Sequence, residues 1–274
     1  MNQNPALDVS ISDDELRRAL EDNEAECFST FRAMGEEVEI TNLETATLIA
    51  TGVKFWLFNG VFRVRVSEDL ISEALDQWIQ HFKTRALPFA IFTYAHSQSQ
   101  PLGEALLKSG FKVSESTSVV FDIKNLQSFM APPLAPEFRK LEIRSAGEFK
   151  AFSECWSKVF EVPSLIQEAF NRWSTCYGFE KSLPLQNIAI MHGDRAVAIA
   201  TYFSDSKVAG IYSIGVDPEF RRRGLGLQIA ANIAEKAQAR GVRYLVGNGS
   251  EEGMHVYRKA GVRVIGVAQR WIFD

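Results

Sequence analysis

The stretch Val208–Gly226, VAGIYSIGVDPEFRRRGLG, decides the fold. Its apolar run from Ala209 to Val216 is typical of a strand that is buried on both faces. Asp217-Pro218-Glu219 ends that strand, because proline cannot donate a hydrogen bond to a ladder. Beyond the glycines, apolar residues recur at helical spacing up to Gly241, at Leu227, Ala230, Ala231, Ala234 and Ala237. The pattern predicts a strand, a basic glycine loop and a helix in succession.

The predicted loop is suited to binding an anion. The first amides of a helix have no partner within the helix, and they lie at the positive end of its dipole. Gly224 and Gly226 allow the backbone to approach an oxygen-rich ligand closely. Arg221, Arg222 and Arg223 add positive charge at the same place. A pyrophosphate group fits these properties.

Two common nucleotide-binding motifs do not match the loop. A P-loop needs Lys followed by Ser or Thr after the last glycine, where this chain has Leu227 and Gln228. A Rossmann fingerprint needs a small residue at the position of Ile229. The pattern Val216-x-Pro218-x-x-Arg221-x-x-Gly224-x-Gly226 instead resembles the coenzyme A loop of the GNAT superfamily of N-acetyltransferases. The alternative is a structural loop with surface arginines.

Composition argues against several other classes of protein. The chain has 274 residues, which suits one large domain or two of ordinary size. A net charge of −4 argues against general nucleic-acid binding. No apolar run reaches membrane-spanning length, and the N-terminus does not resemble a signal peptide. We therefore expect a cytoplasmic protein whose three scattered cysteines are reduced, with no metal site, no nucleic-acid partner and no membrane partner.

Residues 1–127 have the order of helices and strands expected of a degenerate copy of the same acetyltransferase domain. Ser12-Asp13-Asp14-Glu15 is a capping box that begins a helix, which we expect to break near Asn23. The segment Gly103–Phe111 resembles the GNAT segment that ends in Gly-Phe. It lacks the Tyr found in many members, and no arginine-glycine loop precedes it. The chain thus resembles bacterial tandem GNAT proteins in which the C-terminal copy alone keeps the loop; an unrelated α+β cap is the alternative.

The expected fold class is α/β (α+β), with two tandem GNAT-like acyl-CoA N-acyltransferase domains. Each domain would be a mixed, mostly antiparallel sheet flanked by helices. Residues 1–127 would form the degenerate domain, residues 128–140 a linker made semi-rigid by its prolines, and residues 141–274 the catalytic domain. In the catalytic domain, helices are expected after Ser145 and from Pro163, followed by a hairpin around His192-Gly193-Asp194.

The resemblance implies acetyl-CoA as the co-substrate and indicates which residues hold it. In GNAT folds the strand before the loop splays from the next strand, here Arg243–Gly247, and the pantetheine arm enters the gap. Backbone amides near Ile214, Gly215 and Val216 would then bind pantetheine and polarise the thioester carbonyl. The pyrophosphate would be held by the amides of residues 222–226, which include Leu225, and by the side chains of Arg221, Arg222 and Arg223.

Tyr257 is the predicted general acid. The family pattern Asn-x-x-Ala-x-x-x-Tyr-x-x-x-Gly-Phe is present here as Ser250-x-x-Gly253-x-x-x-Tyr257-x-x-x-Gly261-Val262, with three departures. A phenol can donate a proton to the leaving thiolate, and Ser250 would hold a water or the pantetheine. An ordinary packed tyrosine is the alternative. No general base stands out; the carboxylates near the expected groove edges are Glu161, Asp205, Glu251 and Glu252, and a water chain would also serve.

The predicted activity is acetyl-CoA-dependent N-acetyl transfer to a primary amine, directly, in a ternary complex. The acceptor would be a small-molecule or peptide amine, and the protein a monomer or homodimer. Two alternatives stay open. One is an inactive module that binds or senses acyl-CoA, and the other is an acyltransferase that uses a different acyl-CoA.

Overall fold

A single sheet runs through both halves of the molecule. The computed structural model describes residues 11–126, 133–204 and 208–274, and within these ranges eleven strands form one continuous sheet. The strands are β1 Glu39–Asn42, β2 Thr47–Ala50, β3 Gly60–Phe62, β4 Phe89–Thr93, β5 Lys112–Asp122, β6 Phe138–Glu142, β7 Leu185–His192, β8 Arg195–Ser204, β9 Ala209–Val216, β10 Tyr244–Gly249 and β11 Arg263–Phe273.

Helices cover both faces of this sheet. They are α1 Asp13–Ser29, α2 Ile71–Lys83, α3 Gln100–Lys108, α4 Ile123–Leu126, α5 Ala146–Phe160, α6 Ser164–Tyr177, α7 Leu225–Ala239 and α8 Glu251–Lys259. Short 3-10 turns lie at Thr30–Met34, Trp56–Phe58, Glu68–Leu70 and Pro218–Phe220. The predicted α/β class and the mixed, mostly antiparallel sheet are therefore confirmed.

The two halves exchange their last strands. The strand order is β1-β2-β3-β4-β11-β5-β10-β9-β8-β7-β6. The C-terminal strand β11 lies between β4 and β5, and it is antiparallel to both. Strand β5 of the first half pairs in turn with β10 of the second half. The two sheets expected from the sequence are thus joined edge to edge, and the division at residues 127 and 141 stays a prediction.

The apolar residues form cores on opposite faces of the sheet. On one face, α1, α5 and α6 bury residues such as Leu20, Phe152 and Phe170 in one continuous cluster. On the other face of the second half, α7 and α8 bury residues such as Ile233 and Tyr257. Helix α1, although it belongs to the first half, therefore lies on the same face as α5 and α6 of the second half.

The start of α1, its length and the start of β6 bear on three local predictions. The capping box of Ser12 and Glu15 is present at the start of α1. The expected break near Asn23 is wrong, because α1 runs without interruption to Ser29 and buries Asn23 completely. Strand β6 begins at Phe138, inside the predicted linker, of which residues 128–132 lie outside the described residues.

Candidate functional site

The predicted separation of two neighbouring strands is present. Strands β9 and β10 are parallel, and their ladder ends at the pair Ile211 and Gly247. On its other side β9 is bulged opposite β8, where the register shifts between Ile199 and Thr201. Ser213, in the bulge, has a φ of 49°. A bulge bends its strand. Beyond Ile211 the two strands no longer pair, and the space between their unpaired ends is called the cleft here.

The residues predicted to hold pantetheine line β9 beyond this point. Ile214, Gly215 and Val216 are all partly exposed, whereas the first residues of β9 are buried. Gly215 and Val216 still pair with β8, so their β10-facing edge borders the cleft. A side chain on Gly215 would collide with Val159 of α5. Glycine here lets α5 pack directly on the strand that lines the cleft.

The glycine loop leads straight into α7. Gly224 has φ 77° and ψ 0°, a left-handed conformation that favours glycine. Its carbonyl accepts from the amides of Leu227 and Gln228 at 3.1 Å. No side chain caps the start of this helix, and Leu225 and Gly226 form its first turn. The positive end of the dipole therefore faces outward at the end of the cleft.

The three arginines surround this helix start. All three are exposed. Arg221 donates from Nε to the carbonyl of Val216 at 3.4 Å, and its guanidinium lies 3.6 Å from the carboxylate of Glu252. Arg223 lies over the ring of Phe220, with its Cζ 5.2 Å from the ring centroid. Arg221 thus connects the loop to α8, and the cluster gives the loop a positive field.

Asp217 anchors the loop to the body of the domain. Its side chain is 2% exposed and accepts from Lys158 of α5 at 3.0 Å and from Arg195 at 3.2 Å. It also accepts from the backbone amide of Glu219. Burial alone would raise the pKa of Asp217, but Lys158, the backbone amide and Arg195 hold it below its usual value. These contacts fix the loop at the end that follows β9.

Tyr257 and Ser250 lie where β10 passes into α8. The Tyr257 ring packs edge-on against Phe121 with centroids 5.4 Å apart, and burial raises the pKa of its hydroxyl. A Cβ on Gly249 would lie 3.0 Å from this ring. Ser250 is exposed, and its Oγ accepts from the amide of Gly253 at 3.2 Å, which caps α8. The catalytic roles of both residues stay predictions.

Helix α1 crosses the opposite face of the same cleft. Tyr212, the first residue of β9 beyond the ladder, donates its hydroxyl to Oδ1 of Asn23 at 2.6 Å. Asn248, the first residue of β10 beyond the ladder, donates its amide to Oε2 of Glu24 at 3.3 Å. Two adjacent residues of the first half thus bind both strands at the point where they diverge.

Glu24 is a buried carboxyl that our reading of the sequence missed. Burial raises its pKa, the charge of Arg270 lowers it and that of Glu21 raises it, and the resulting pKa is about 7. The sequence did contain a signal. Asn23 and Glu24 interrupt the apolar stripe of α1 formed by Leu16, Leu20 and Cys27, and polar residues on a buried face need a reason.

Glu24→Gln is expected to stabilise the protein at alkaline pH. Its pKa is about 7 in the fold, against 4.5 for a free side chain. The unfolded chain therefore ionises first, and the free energy of unfolding falls as pH rises from 4.5 to 7, by up to about 3 kcal/mol. Gln carries no charge, so the gain should be nearly complete at pH 8 and small at pH 5.

Denaturant unfolding at both pH values measures this effect. Glu26→Gln, which alters a half-exposed carboxylate two residues further along the helix, is the control and should show no such gain. An equal change in stability at pH 5 and pH 8 would mean that Glu24 ionises normally in the fold.

The carboxylates named as candidate bases are less favourably placed. Glu161 is exposed, with a left-handed φ of 54°, at the end of α5. Glu251 and Glu252 are exposed in the first turn of α8. Asp205 lies outside the described residues. Neither Glu161 nor the two carboxylates of α8 has the burial that raises the pKa of Glu24.

The first half has a counterpart of the parallel strand pair but not of the loop. Strands β3 and β4 are parallel and are joined through α2, as β9 and β10 are joined through α7. The segment between β3 and α2 brings Arg63 and Arg65 to α1, where Arg63 pairs with Asp22 and Glu26, and Arg65 pairs with Glu21. Acidic residues, Glu68 and Asp69, precede α2. Their negative charge at the start of α2 would repel an anion.

Two features that are typical of other classes of protein are absent from the described residues. In the part of the chain that the structure describes, no helix combines the length and the apolar character needed to cross a membrane. Among the same residues, no three His, Cys, Asp or Glu side chains are grouped so that they could hold a metal ion.

Comparison of the sequence with protein families gives one match. The model of the acetyltransferase (GNAT) family matches residues 149–262. This segment contains β9, the glycine loop, α7, β10 and α8. A search of curated proteins finds no match.

Several solved structures are similar over both halves of the chain. A GCN5-related N-acetyltransferase from Kribbella flavida has a TM-score of 0.68 and 15% identity, covering 90% of this chain and 94% of that one. A functionally unknown conserved protein from Staphylococcus epidermidis has a TM-score of 0.67 and 12% identity, covering 88% and 96%. A tandem GNAT protein from the clavulanic acid biosynthesis pathway has a TM-score of 0.59 and 10% identity, covering 87% and 83%. At these identities the likeness concerns the fold.

Proposed function

We propose that this protein is an N-acetyltransferase that uses acetyl-CoA. The premise is that residues 149–262 belong to the GNAT acetyltransferase family, whose model they match. The observation that carries the proposal is the continuity of one site. A cleft between β9 and β10 leads to an uncapped helix start whose loop bears three exposed arginines. An acyl-carrying arm and a pyrophosphate are the two parts of one ligand that such a site would bind together.

The residues of the cleft and loop fit this ligand. Gly224, in a left-handed conformation, carries no side chain at the start of α7, and the first turn of the helix offers backbone amides to an anion. Arg221, Arg222 and Arg223 add charge at the same place. Acetyl-CoA supplies an acetyl group activated as a thioester. The edge of β9 beyond Ile211 would orient that group and polarise its carbonyl through backbone amides near Ile214, Gly215 and Val216.

Direct transfer to a primary amine in a ternary complex is favoured by the state of the cysteines. An acetyl-enzyme formed on cysteine needs a thiolate. Burial raises the pKa of the Cys27 thiol, and burial together with the charge of Asp217 raises that of Cys155 to about 12. Cys176 is exposed near the end of α6 and belongs to neither of the strands that line the cleft. The acceptor amine would therefore attack the thioester itself.

The experiment that tests this function follows the release of free coenzyme A thiol from acetyl-CoA. The protein is incubated with a panel of small primary amines and short peptides, and each is compared with a sample that lacks the acceptor. We expect thiol release with at least one amine, together with acetylated product of matching mass. Replacing acetyl-CoA by longer acyl-CoA donors in the same assay tests the alternative donor.

A second candidate is a module that binds acyl-CoA without transferring the acyl group. The observation in its favour is α1, which covers the opposite face of the cleft through Asn23 and Glu24. Such a module would be stabilised by acetyl-CoA but would release no thiol with any amine. The degenerate first half, residues 1–127, would then block the access of an acceptor to the cleft.

Tyr257→Phe is expected to lower turnover by about 100-fold or more, because a positioned proton donor contributes roughly 10²- to 10⁴-fold. The raised pKa keeps the phenol protonated and able to donate to the leaving thiolate. Phe keeps the packing against Phe121, so the affinity for acetyl-CoA should change little. Turnover and calorimetric affinity are measured side by side, with Tyr244→Phe, at the opposite end of β10, as the control. Unchanged turnover would remove Tyr257 from the mechanism.

A further inference from the structure

The acceptor would approach the cleft from the face of the sheet on which α1 lies. The glycine loop leads into α7, and α7 packs on one face of the sheet. Helices α1, α5 and α6 pack on the other face. A coenzyme held at the start of α7 and threaded between β9 and β10 would present its acetyl group toward that second face. Glu24 of α1 lies there, bonded to the first residue of β10 beyond the ladder.

A small cavity adjoins Glu24. Its lining is mixed, with Phe92 and Ala268 as apolar members and Tyr94, Ser116, Asn248, Gln269 and Arg270 as polar ones. Tyr94 is 2% exposed, and its hydroxyl has no hydrogen-bond partner among the described residues. Nε of Arg270 likewise has no partner there. Buried polar groups usually find partners, so these atoms point to a polar guest beside the Glu24 carboxylate.

We propose that Glu24 is the general base of this enzyme and that the adjoining cavity receives the amine end of the acceptor. This inference rests on the proposed acetyl transfer. The amine nitrogen bonds to the carbonyl carbon of the acetyl group, and the bond from that carbon to sulfur breaks. The proton leaves the nitrogen for the Glu24 carboxylate, and the departing sulfur takes a proton from Tyr257. The products are the N-acetyl amine and coenzyme A.

The surroundings of Glu24 suit a group that exchanges protons near neutral pH. Burial raises its pKa to about 7, close to the value at which a base is most useful. The charged or titratable groups facing it are Glu21 and Cys27 on its own helix and Arg270 on β11. Glu21 is itself bound to Arg65 and to His96, whose Nε2 is 2.8 Å from the Glu21 carboxylate. Tyr94 and Tyr212 are the remaining titratable groups near Glu24.

The proposal gives the first half a part in the reaction. Residues 1–127 lack the arginine-glycine loop, yet they would supply the base through α1 and part of the acceptor cavity through Tyr94. Strand exchange holds these groups against the second half, because β11 carries Arg270 into the first half. The catalytic site would then be assembled from both halves.

The test compares the wild type with Glu24→Gln, a variant of equal shape that keeps an acceptor for the Asn248 amide. Thiol release from acetyl-CoA is measured between pH 5.5 and 9 with the amine panel, and also without any amine, since water is the remaining nucleophile. For the wild type, kcat/KM should rise tenfold per pH unit and level off above pH 7. For Glu24→Gln it should be about 100-fold lower at pH 8 and lack that inflection. Glu26→Gln should behave as the wild type.

The outcomes separate the two proposals. Thiol release by the wild type, with loss of both rate and inflection in Glu24→Gln at unchanged acetyl-CoA affinity, supports the base. A Glu24→Gln profile that equals the control overturns the base but leaves acetyl transfer standing. A wild type that binds acetyl-CoA and releases no thiol, with amines or with water, overturns both.

Discussion

Residues 133–274, expressed without the first half, are expected not to fold into a stable domain. Strand β10 would lose its partner β5, with which it pairs from Tyr244 to Gly249. Strand β11 would lose both of its neighbours, β4 and β5. It cannot simply replace β5 beside β10, because β11 and β10 are both antiparallel to β5 and so run parallel to each other. Unpaired edges of this length favour aggregation.

Circular dichroism and denaturant unfolding of the fragment test this expectation. The full chain should unfold in one cooperative transition, and the fragment should be insoluble or lack such a transition. As a control, a protease site between residues 126 and 133 of the folded full chain can be cut, and the two pieces should stay associated. A soluble fragment with a cooperative transition near that of the full chain would show that the second half is an independent domain.

Gly226→Glu is expected to weaken acetyl-CoA binding by at least about 100-fold, a loss of roughly 2.7 kcal/mol. The residue lies in the first turn of α7, where the proposed pyrophosphate site needs open backbone amides. A carboxylate there repels the phosphates and satisfies the helix dipole in their place. Acidic residues are favourable at this position of a helix, so the fold should persist.

Isothermal titration calorimetry measures the affinity, and unfolding without ligand confirms the fold of the variant. Gln238→Glu adds the same charge at an exposed position near the other end of α7, and it should bind acetyl-CoA like the wild type. Equal weakening in both variants would mean that net charge, rather than the loop, governs binding. Undiminished binding by Gly226→Glu would place the coenzyme elsewhere.

Much of the second half could be predicted from local pattern. The strand Ala209–Val216 and the helix after the glycines lie where the sequence indicates. Their signals are strong because proline and glycine mark the ends of regular elements and because the apolar spacing is regular over several turns.

The strand exchange could not be predicted. Strands β5 and β11 carry ordinary strand patterns, and those patterns do not indicate which neighbour each strand takes. The same sequence allows two separate sheets or one shared sheet. The choice depends on contacts between residues far apart in the chain, such as Ala268 with Ser116.

The importance of α1 was hidden for a related reason. Asn23 and Glu24 belong to the mostly polar segment Glu21–Glu26, which favours a break in a surface helix. Packing against Tyr212 and Asn248 buries both side chains and keeps the helix intact. A raised pKa follows from that burial, so it becomes visible only once the tertiary contacts are known.

Thermal unfolding of the wild type with and without acetyl-CoA tests the central claim most directly. A ligand at about 100 times its dissociation constant stabilises the native state by about 2.7 kcal/mol. For a chain of this length, that stabilisation corresponds to a rise in Tm of about 5 °C. The account predicts such a rise with acetyl-CoA and none with acetate alone. An unchanged Tm at millimolar acetyl-CoA would contradict it, and the cleft and its loop would then be structural features of the fold.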